Sequence, residues 1–442
     1  MSRPFGALSV LRLGLVQASL GAIVVLTTST LNRVMVVEMA LPALLPGLLL
    51  ALHYVVQISR PRMGHGSDLG RRRTPWIMGG MVTLAAGGWL AALATVWMGS
   101  SPAAGIALAL VAYTLIGLGV AASGTSLLAL LAKRVPAEKR ATAATTLWIM
   151  MIAGFVVTAG VAGSLLDPFS PGRLMWVAGG VALSAVVLTA LALIGLEGPA
   201  QAIAATCAPV DFRQALQDAW AEPRARRFTV FVFVSMLAFS MQDLILEPFA
   251  GLVFGLTPGA TTKLSGTQHS GALVGMLLAA AAGSRWAGRH WGSLRSWTVC
   301  GCVASALALG GLVCAGLVGP TWPLQANVFA LGLATGAFSI AAIASMMGLA
   351  GAGEAGHEGV RMGLWGAAQA MAFALGGVLG TAASDLTRWL IADVGLAYAL
   401  VFLLDAALFI GAARLAARVE PRARSSRANL GERYEPQPAG GL

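Results

Sequence analysis

The sequence predicts an all-α protein that crosses a membrane many times. Of its 442 residues, 57% are hydrophobic and only 11% are charged, whereas an average soluble domain is about 25% charged. A membrane-spanning helix needs about 20 mostly apolar residues, so the hydrophobic share is enough for about twelve such helices. This composition excludes soluble enzymes, nucleic-acid binders, disordered chains and disulfide-stapled secreted proteins.

Twelve apolar runs follow one another along the chain. They lie near 8–31, 40–59, 75–99, 103–132, 142–165, 173–196, 227–256, 266–288, 296–318, 324–350, 362–384 and 392–413. The longest polar connector separates the first six runs from the last six. We therefore predict an N-terminal half over 1–196, a cytoplasmic connector over 197–226, a C-terminal half over 227–415 and a basic cytoplasmic tail over 416–442.

The lysines and arginines between these runs predict the orientation. If both termini are cytoplasmic, almost all loop and tail cations fall on the cytoplasmic side, as the positive-inside rule requires. The opposite side then holds only four cations, which are Arg33, Arg173, Lys263 and Arg388. The net charge of +11 is thus explained by membrane orientation rather than by nucleic-acid binding.

Six plus six helices with a long central connector resemble the layout of the major facilitator superfamily, whose halves are repeats around a central cavity. A loop motif between the second and third runs also resembles that superfamily. Its residues are Gly64, Asp68, Gly70, Arg71 and Arg72. Gly70 follows Asp68 by two positions rather than the usual three. The motif predicts either a latch between conformations or simple cytoplasmic anchoring.

Three pairs of glycines spaced four residues apart indicate close helix packing. Small residues at this spacing let two helix backbones approach each other. The pairs are Gly271 and Gly275, Gly332 and Gly336, and Gly376 and Gly380. In a chain with 55 glycines such pairs arise often, so they predict packing and nothing sharper.

Ionisable side chains within the apolar runs are candidates for function, because a charge at mid-helix costs roughly 2.5–3.5 kcal/mol. Asp243 and Glu247 are four residues apart and therefore share a helix face. A structural salt bridge would explain them, but we favour a site that lines a cavity between the halves. Glu38 lies near the outer end of the first run, where water can reach it.

Several segments resemble the PucC/LhaA group, the bacteriochlorophyll-delivery branch of the major facilitator superfamily. They are 31–38, 60–61 with 67–68, 73–76, 239–251, 264–271 and 363–370. They occur in both halves, so the resemblance extends over most of the chain. The loop around Asp68 departs from it, because this loop is longer in PucC itself.

The resemblance implies a non-enzymatic factor that assembles light-harvesting complexes in the inner (intracytoplasmic) membrane of a photosynthetic bacterium. Its implied cargo is bacteriochlorophyll or a late precursor. Its implied partners are the lipid bilayer, the antenna polypeptides and bacteriochlorophyll synthase. Arg33 and Gln369 lie in resembling segments and join Glu38, Asp243 and Glu247 as candidates for the cavity or for coupling.

Two histidines in apolar runs are candidate ligands. His53 precedes Gln57 by one helical turn, and His269 follows Gln268 directly. A neutral imidazole can bind the magnesium of a chlorophyll, which accepts one donor beyond its four ring nitrogens. Each histidine could instead be a packing residue bonded to a helix carbonyl. We predict that His53 or His269 is an axial ligand and that both glutamines lie at the pigment.

Two other functions stay open at this point. One is a proton-coupled small-molecule transporter in which Asp243, Glu247 or Glu38 carries protons. The other is a scaffold that binds antenna helices without handling pigment. The sequence has no H-E-x-x-H motif, Walker A loop or nucleophile–base spacing, and we therefore predict that the protein is not an enzyme.

Overall fold

The computed structural model describes residues 6–60, 72–197, 220–282, 293–351 and 358–419. Every regular element in these ranges is a helix. They are α1 (Ala7–Val25), α2 (Leu44–Val56), α3 (Thr74–Met98), α4 (Pro102–Arg134), α5 (Ala137–Leu165), α6 (Pro171–Leu193), α7 (Pro223–Phe254), α8 (Pro258–Ala282), α9 (Leu294–Val318), α10 (Leu324–Gly351), α11 (Glu358–Leu390) and α12 (Val394–Val419). Among the described residues, ten helices are long and apolar enough to cross a membrane. The protein is therefore a multi-pass membrane protein.

The first helix is longer than its apolar run predicts. Beyond Val25 it continues through two π-helical segments, Leu26–Leu31 and Val34–Glu38, and α1 hereafter denotes the whole helix Ala7–Glu38. Arg33 therefore lies inside the helix and is only 2% exposed, so its assignment to a loop between two runs was wrong. The helix continues because Arg33 pairs with Glu38 and with the Leu256 carbonyl beyond α7, and because the polar side chains just before it bond to α7 and α8.

The eighth helix also begins earlier than predicted, at Pro258 rather than near residue 266. Its first two turns contain Thr261 and Thr262, which lower the hydropathy and hid the helix from the apolar pattern. Both threonines are buried because this end of α8 packs against protein rather than lipid.

Two large apolar clusters divide the helices. One runs from Leu13 to Leu196 and belongs to α1–α6 and the turn that follows. The other runs from Phe228 to Ala416 and belongs to α7–α12. A third, smaller cluster joins Ile152 of α5 to Ala272 of α8 and Ala337 of α10. The first two clusters are the physical basis on which we propose two six-helix halves.

The halves meet along two lateral seams, one where α5 packs against α8 and one where α2 packs against α11. The glycine pairs serve helix packing, as predicted. A Cβ at Gly332 would lie 1.9 Å from the carbonyl oxygen of Gln268, and a Cβ at Gly275 would lie 2.1 Å from that of Leu333. α8 and α10 therefore touch backbone to backbone. Gly376 and Gly380 similarly face the α7 backbone.

Two carboxylates complete the N-termini of distant helices. Asp385 of α11 accepts hydrogen bonds from the backbone N–H groups of Ala43 and Leu44 at 2.9 and 2.8 Å, at the start of α2. Glu197 accepts from the N–H groups of Arg73 and Thr74 at the start of α3. Burial alone would raise the pKa of Glu197, but these hydrogen bonds, one from the Thr74 hydroxyl and the Arg73 charge together lower it.

Candidate functional site

A polar cluster lies where α1 meets α7 and α8. It contains Ser29, Thr30, Asn32, Arg33 and Glu38 of α1; Gln242, Asp243 and Glu247 of α7; and Thr262, Ser265 and Gln268 of α8. Asn32 and Arg33 separate the two π-helical segments of the first helix. Such segments widen a helix locally and occur often at functional sites.

The hydrogen bond that Asn32 makes is explained by a proline on α7. Pro248 has no N–H group, so the carbonyl of Leu244, one turn earlier in α7, loses its usual helical partner. The side-chain amide of Asn32 donates to that carbonyl at 2.7 Å. A buried carbonyl without a partner is costly, and α1 therefore supplies the hydrogen bond that α7 cannot make for itself.

Arg33 links both halves at one end of the bundle. Its Nη1 donates to the carboxylate of Glu38, and its Nη2 donates to the carbonyl oxygen of Leu256 at 2.6 Å. Gly251 of α7 leaves room for the guanidinium, since a Cβ there would lie 3.1 Å from Nη2. Arg33 thus compensates for its buried charge with an ion pair and with a carbonyl beyond the end of α7.

Glu247 is the most buried acid of the cluster, at 3% exposure. Its Oε1 accepts a hydrogen bond from the Ser29 hydroxyl of α1. Its Oε2 is buried and has no hydrogen-bond partner among the described residues. Asp243, one turn away, is only half-buried and lies within electrostatic range of Glu247 and of Tyr54 on α2.

Two polar pairs complete the cluster. The hydroxyls of Thr30 and Thr262 are 3.0 Å apart. The Gln268 amide donates to Gln242 Oε1 at 3.1 Å. The Gln268 side chain therefore takes part in the contact between α7 and α8. It does not act together with the side chain of His269 in the way that the sequence predicted.

The two histidines occupy the two lateral seams. On the α2–α11 seam, Tyr54 follows His53 and stacks on Phe373 with ring centroids 5.2 Å apart. On the α5–α8 seam, the His269 ring meets the ring of Phe155 edge-on at 4.8 Å. Each histidine thus lies beside an aromatic contact between the proposed halves.

The lone pair of His53 is already in use. Arg60 donates to Gln57 Oε1, which turns the amide nitrogen of Gln57 toward His53 Nε2 at 2.8 Å. Because an amide nitrogen only donates, Nε2 must accept and the proton of the neutral ring lies on Nδ1. That Nδ1 is buried without a partner among the described residues. In this arrangement His53 has no lone pair for a metal.

His269 makes no hydrogen bond through Nε2 among the described residues. Its Nδ1 lies 2.8 Å from the backbone carbonyl oxygen of Ser265, so Nδ1 carries the proton and donates it to that oxygen. Nε2 then presents an unprotonated lone pair. A histidine that is held through one nitrogen and binds a metal through the other is a common arrangement in proteins. The side chain is half-buried.

Comparison with known proteins places this chain in a family. A family described as PUCC protein matches residues 30–423. The chain belongs to the PucC family. A relative from Rhodobacter capsulatus named "Bacteriochlorophyll synthase 44.5 kDa chain" is 51% identical over 94% of this chain and 96% of its own length. Protein PucC from Rhodobacter capsulatus is 32% identical over 85% of this chain and 83% of its own length.

Solved transporter structures confirm the major-facilitator fold of this PucC-family chain. A mutant of the nucleoside transporter NupG superposes with a TM-score of 0.68 at 14% identity, covering 93% of this chain and 100% of the transporter. A bacterial homologue of the human lysosomal transporter Spinster, inward-facing and occupied, gives a TM-score of 0.65 at 14% identity, covering 99% and 100%. At this identity the likeness shows the fold alone.

The remaining predicted residues lie apart from the polar cluster. Gln369 of α11 is half-buried, and its amide lies 3.9 Å from the sulfur of Met236 on α7. Arg72 is exposed. Gly64, Asp68, Gly70 and Arg71 lie outside the described residues. Within the described ranges, no group of three or more His, Cys, Asp or Glu side chains is placed to hold a metal ion.

Sequence reasoning missed three polar residues of this PucC-family chain. Ser29 lies inside the first apolar run, and nothing in the pattern distinguishes it. Asn32 could have been found, because Pro248 within an apolar helix requires a donor for Leu244. Asp405 of α12 is fully buried, and neither of its oxygens has a hydrogen-bond partner among the described residues. Asp405 could have been found from the sequence, because it is a lone Asp within an apolar run.

A cleft of about 910 Å³ lies among α1, α5 and α6. Its walls are mainly apolar, and Trp176 on its rim is 83% exposed. None of its lining residues is a histidine. The cleft therefore offers apolar surface but no imidazole.

Proposed function

We propose that this protein assists the assembly of photosynthetic light-harvesting complexes by binding bacteriochlorophyll, or a late precursor, and delivering it to antenna polypeptides. Membership of the PucC family supports the general role. The relative that is 51% identical and named as a bacteriochlorophyll synthase chain supports the pigment as cargo. In this proposal the protein is non-enzymatic and works beside the synthase.

The observation that carries pigment binding is the free Nε2 of His269. The magnesium of a bacteriochlorophyll supplies one open coordination position, and a neutral imidazole nitrogen fits it. The hydrogen bond from Nδ1 to the Ser265 carbonyl fixes the tautomer and the ring orientation. A single moderate ligand also suits a delivery protein, which must release its cargo.

The position of His269 fits delivery within the membrane. It lies on the α5–α8 seam beside Phe155 and is half-buried, so part of the imidazole stays accessible outside the packed polar cluster. His53 and Gln57 bond to each other, and Gln268 bonds to Gln242. Of the two histidines, His269 is therefore the one whose Nε2 makes no hydrogen bond among the described residues.

The proposed location is the bacterial inner (intracytoplasmic) membrane, with both termini in the cytoplasm. The lipid bilayer surrounds the helices, and the antenna polypeptides and bacteriochlorophyll synthase are the proposed protein partners. The transfer of a pigment between proteins breaks and forms only the magnesium–ligand bond, so it requires no catalytic residues.

The test is pigment retention by the full-length protein purified from a pigmented host. We expect near-infrared absorbance per protein to fall about tenfold or more in His269→Leu, because the axial ligand is lost. His53→Leu is the matched control and should keep its pigment, because its lone pair is not available. Equal pigment content and an unshifted band in His269→Leu would contradict the ligand assignment.

A second candidate function is proton-coupled transport of a small molecule. The observation that favours it is the buried acid Glu247 at the contact between α1 and α7. Antenna assembly in cells separates the two. A pigment-delivery factor restores antenna absorption when it is returned to a deletion strain, whereas a transporter of an unrelated solute does not. A pigment-free scaffold would restore antenna without ever carrying pigment itself.

A further inference from the structure

We propose that Glu247 is a reversible proton-binding site, and that its protonation holds α1 against α7 and so closes the two halves at the polar cluster. This inference is independent of pigment binding. It concerns the change of shape that would open and close the protein.

The first argument is the environment of the carboxyl group. Glu247 is 3% exposed, and its Oε2 is buried without a hydrogen-bond partner among the described residues. An ionised carboxylate requires compensation for both oxygens when it leaves water. Ser29 donates to Oε1, and the Ser265 hydroxyl of α8 also acts on this carboxyl group. Because Oε2 still has no hydrogen bond among the described residues, the site as built suits the neutral acid, whose proton lies on Oε2.

The second argument is the distribution of charge around Glu247. In the part of the chain that the structure describes, the charged groups that act on it are Asp243 and Arg33. Arg33 bonds to Glu38 and to the carbonyl of Leu256, so its hydrogen bonds serve other groups. The other helices packed on α7 contribute Lys263 and His269 on α8, Asp385 and Arg388 on α11, and Asp405 on α12.

The third argument is that this carboxyl group belongs to a contact between the halves. Ser29 belongs to α1 and Glu247 to α7, so their hydrogen bond crosses from one proposed half to the other. Loss of the proton from Oε2 to water would leave two carboxylates, Asp243 and Glu247, one turn apart on α7. Water would then be drawn to them, and the contact with α1 would open.

The test measures the distance between the halves as a function of pH. Spin labels are placed at Ala40→Cys and Thr257→Cys, two exposed positions on either side of the contact, with the four native cysteines replaced by serine. The full chain is studied in lipid nanodiscs without pigment. As the pH rises, the ratio of the longer-distance to the shorter-distance population should increase by up to about tenfold per pH unit, as one linked proton requires.

Glu247→Gln should remain in the short-distance state at every pH, since an amide cannot ionise. Asp393→Asn, an exposed acid at the start of α12, is the matched control and should keep the wild-type midpoint. Glu38→Gln removes the ion-pair partner of Arg33, so its midpoint should shift but its pH response should persist. Ser29→Ala leaves the acid in place but removes its partner, so its midpoint should shift. That variant tests the proposal even if Glu247→Gln fails to fold.

Three results would overturn the proposal. The first is a wild-type pH response in Glu247→Gln, or in Ser29→Ala if only that variant folds. The second is a response that Glu38→Gln abolishes, which would place the proton on Glu38. The third is a population shift that follows sodium concentration at constant pH. None of these results bears on pigment retention by His269, which is measured separately.

Discussion

At the scale of single residues, the polar cluster is organised by what each side chain lacks. Pro248 lacks a donor, and Asn32 supplies one to the carbonyl that Pro248 leaves free. The Arg33 guanidinium is buried away from water, and it donates instead to Glu38 and to a backbone carbonyl. Such compensation is what the membrane interior demands of every polar group. The hydrogen bonds that result join α1 to α7 and α8.

One residue-scale prediction concerns Glu197, which caps the start of α3. Glu197→Gln should cost about 1 kcal/mol at neutral pH, because the negative charge at a helix N-terminus and part of the hydrogen bonding are lost. The measurement is the thermal unfolding midpoint of the detergent-solubilised protein.

The pH dependence gives the sign of this effect. The pKa of Glu197 is lowered in the folded protein, so its stabilising contribution is fully present above its ordinary value of about 4.5 and is lost as the pH falls through the lower folded value. The gap between wild type and Glu197→Gln should therefore close in acid. A gap of the same size at all pH values would show that charge plays no part.

At the scale of helices, the closest contact is the crossing of α8 and α10. Gly332→Ala should destabilise the protein by about 1–3 kcal/mol, because the added Cβ would meet the Gln268 carbonyl at 1.9 Å and force the helices apart. Gly310→Ala in α9 is the matched control, since a Cβ there meets no atom within 4 Å.

Both substitutions give the same gain in helix propensity, up to about 1 kcal/mol. The difference between their unfolding midpoints therefore isolates the packing contribution. If Gly332→Ala is as stable as Gly310→Ala, the two backbones do not need glycine in order to approach each other.

The helices were largely predictable from the sequence, and the polar cluster only in part. Each long apolar run is visible as a local stretch of apolar residues, so the number and order of the helices can be predicted from the sequence. Arg33 and Thr262 escaped the pattern, because their burial depends on partners more than 200 residues away. The tautomers of His53 and His269 depend on Arg60, Gln57 and the Ser265 carbonyl. The sequence shows that these groups are close to each histidine along the chain, but it does not show which of their atoms meets which ring nitrogen.

At the scale of the whole molecule, the distribution of loop charge predicts which side of the membrane each end occupies. Cysteines introduced at Ser170 and Ser426, in a background without native cysteines, should react with an impermeant reagent from opposite sides. Ser170→Cys should react from the periplasm, and Ser426→Cys only after the membrane is opened. Reaction of both from one side would contradict the proposed topology.

The cap that Asp385 provides for α2 has a consequence in time. The N–H groups of Ala43 and Leu44 bond to a carboxylate that lies 342 and 341 residues further along the chain. At about 5–20 residues per second, a ribosome needs roughly 20 to 70 seconds to make that stretch. Throughout that time the start of α2 is already synthesised, but its acceptor does not yet exist. The N-terminal helices of a nascent chain must therefore rely on water, lipid headgroups or the insertion machinery until α11 arrives.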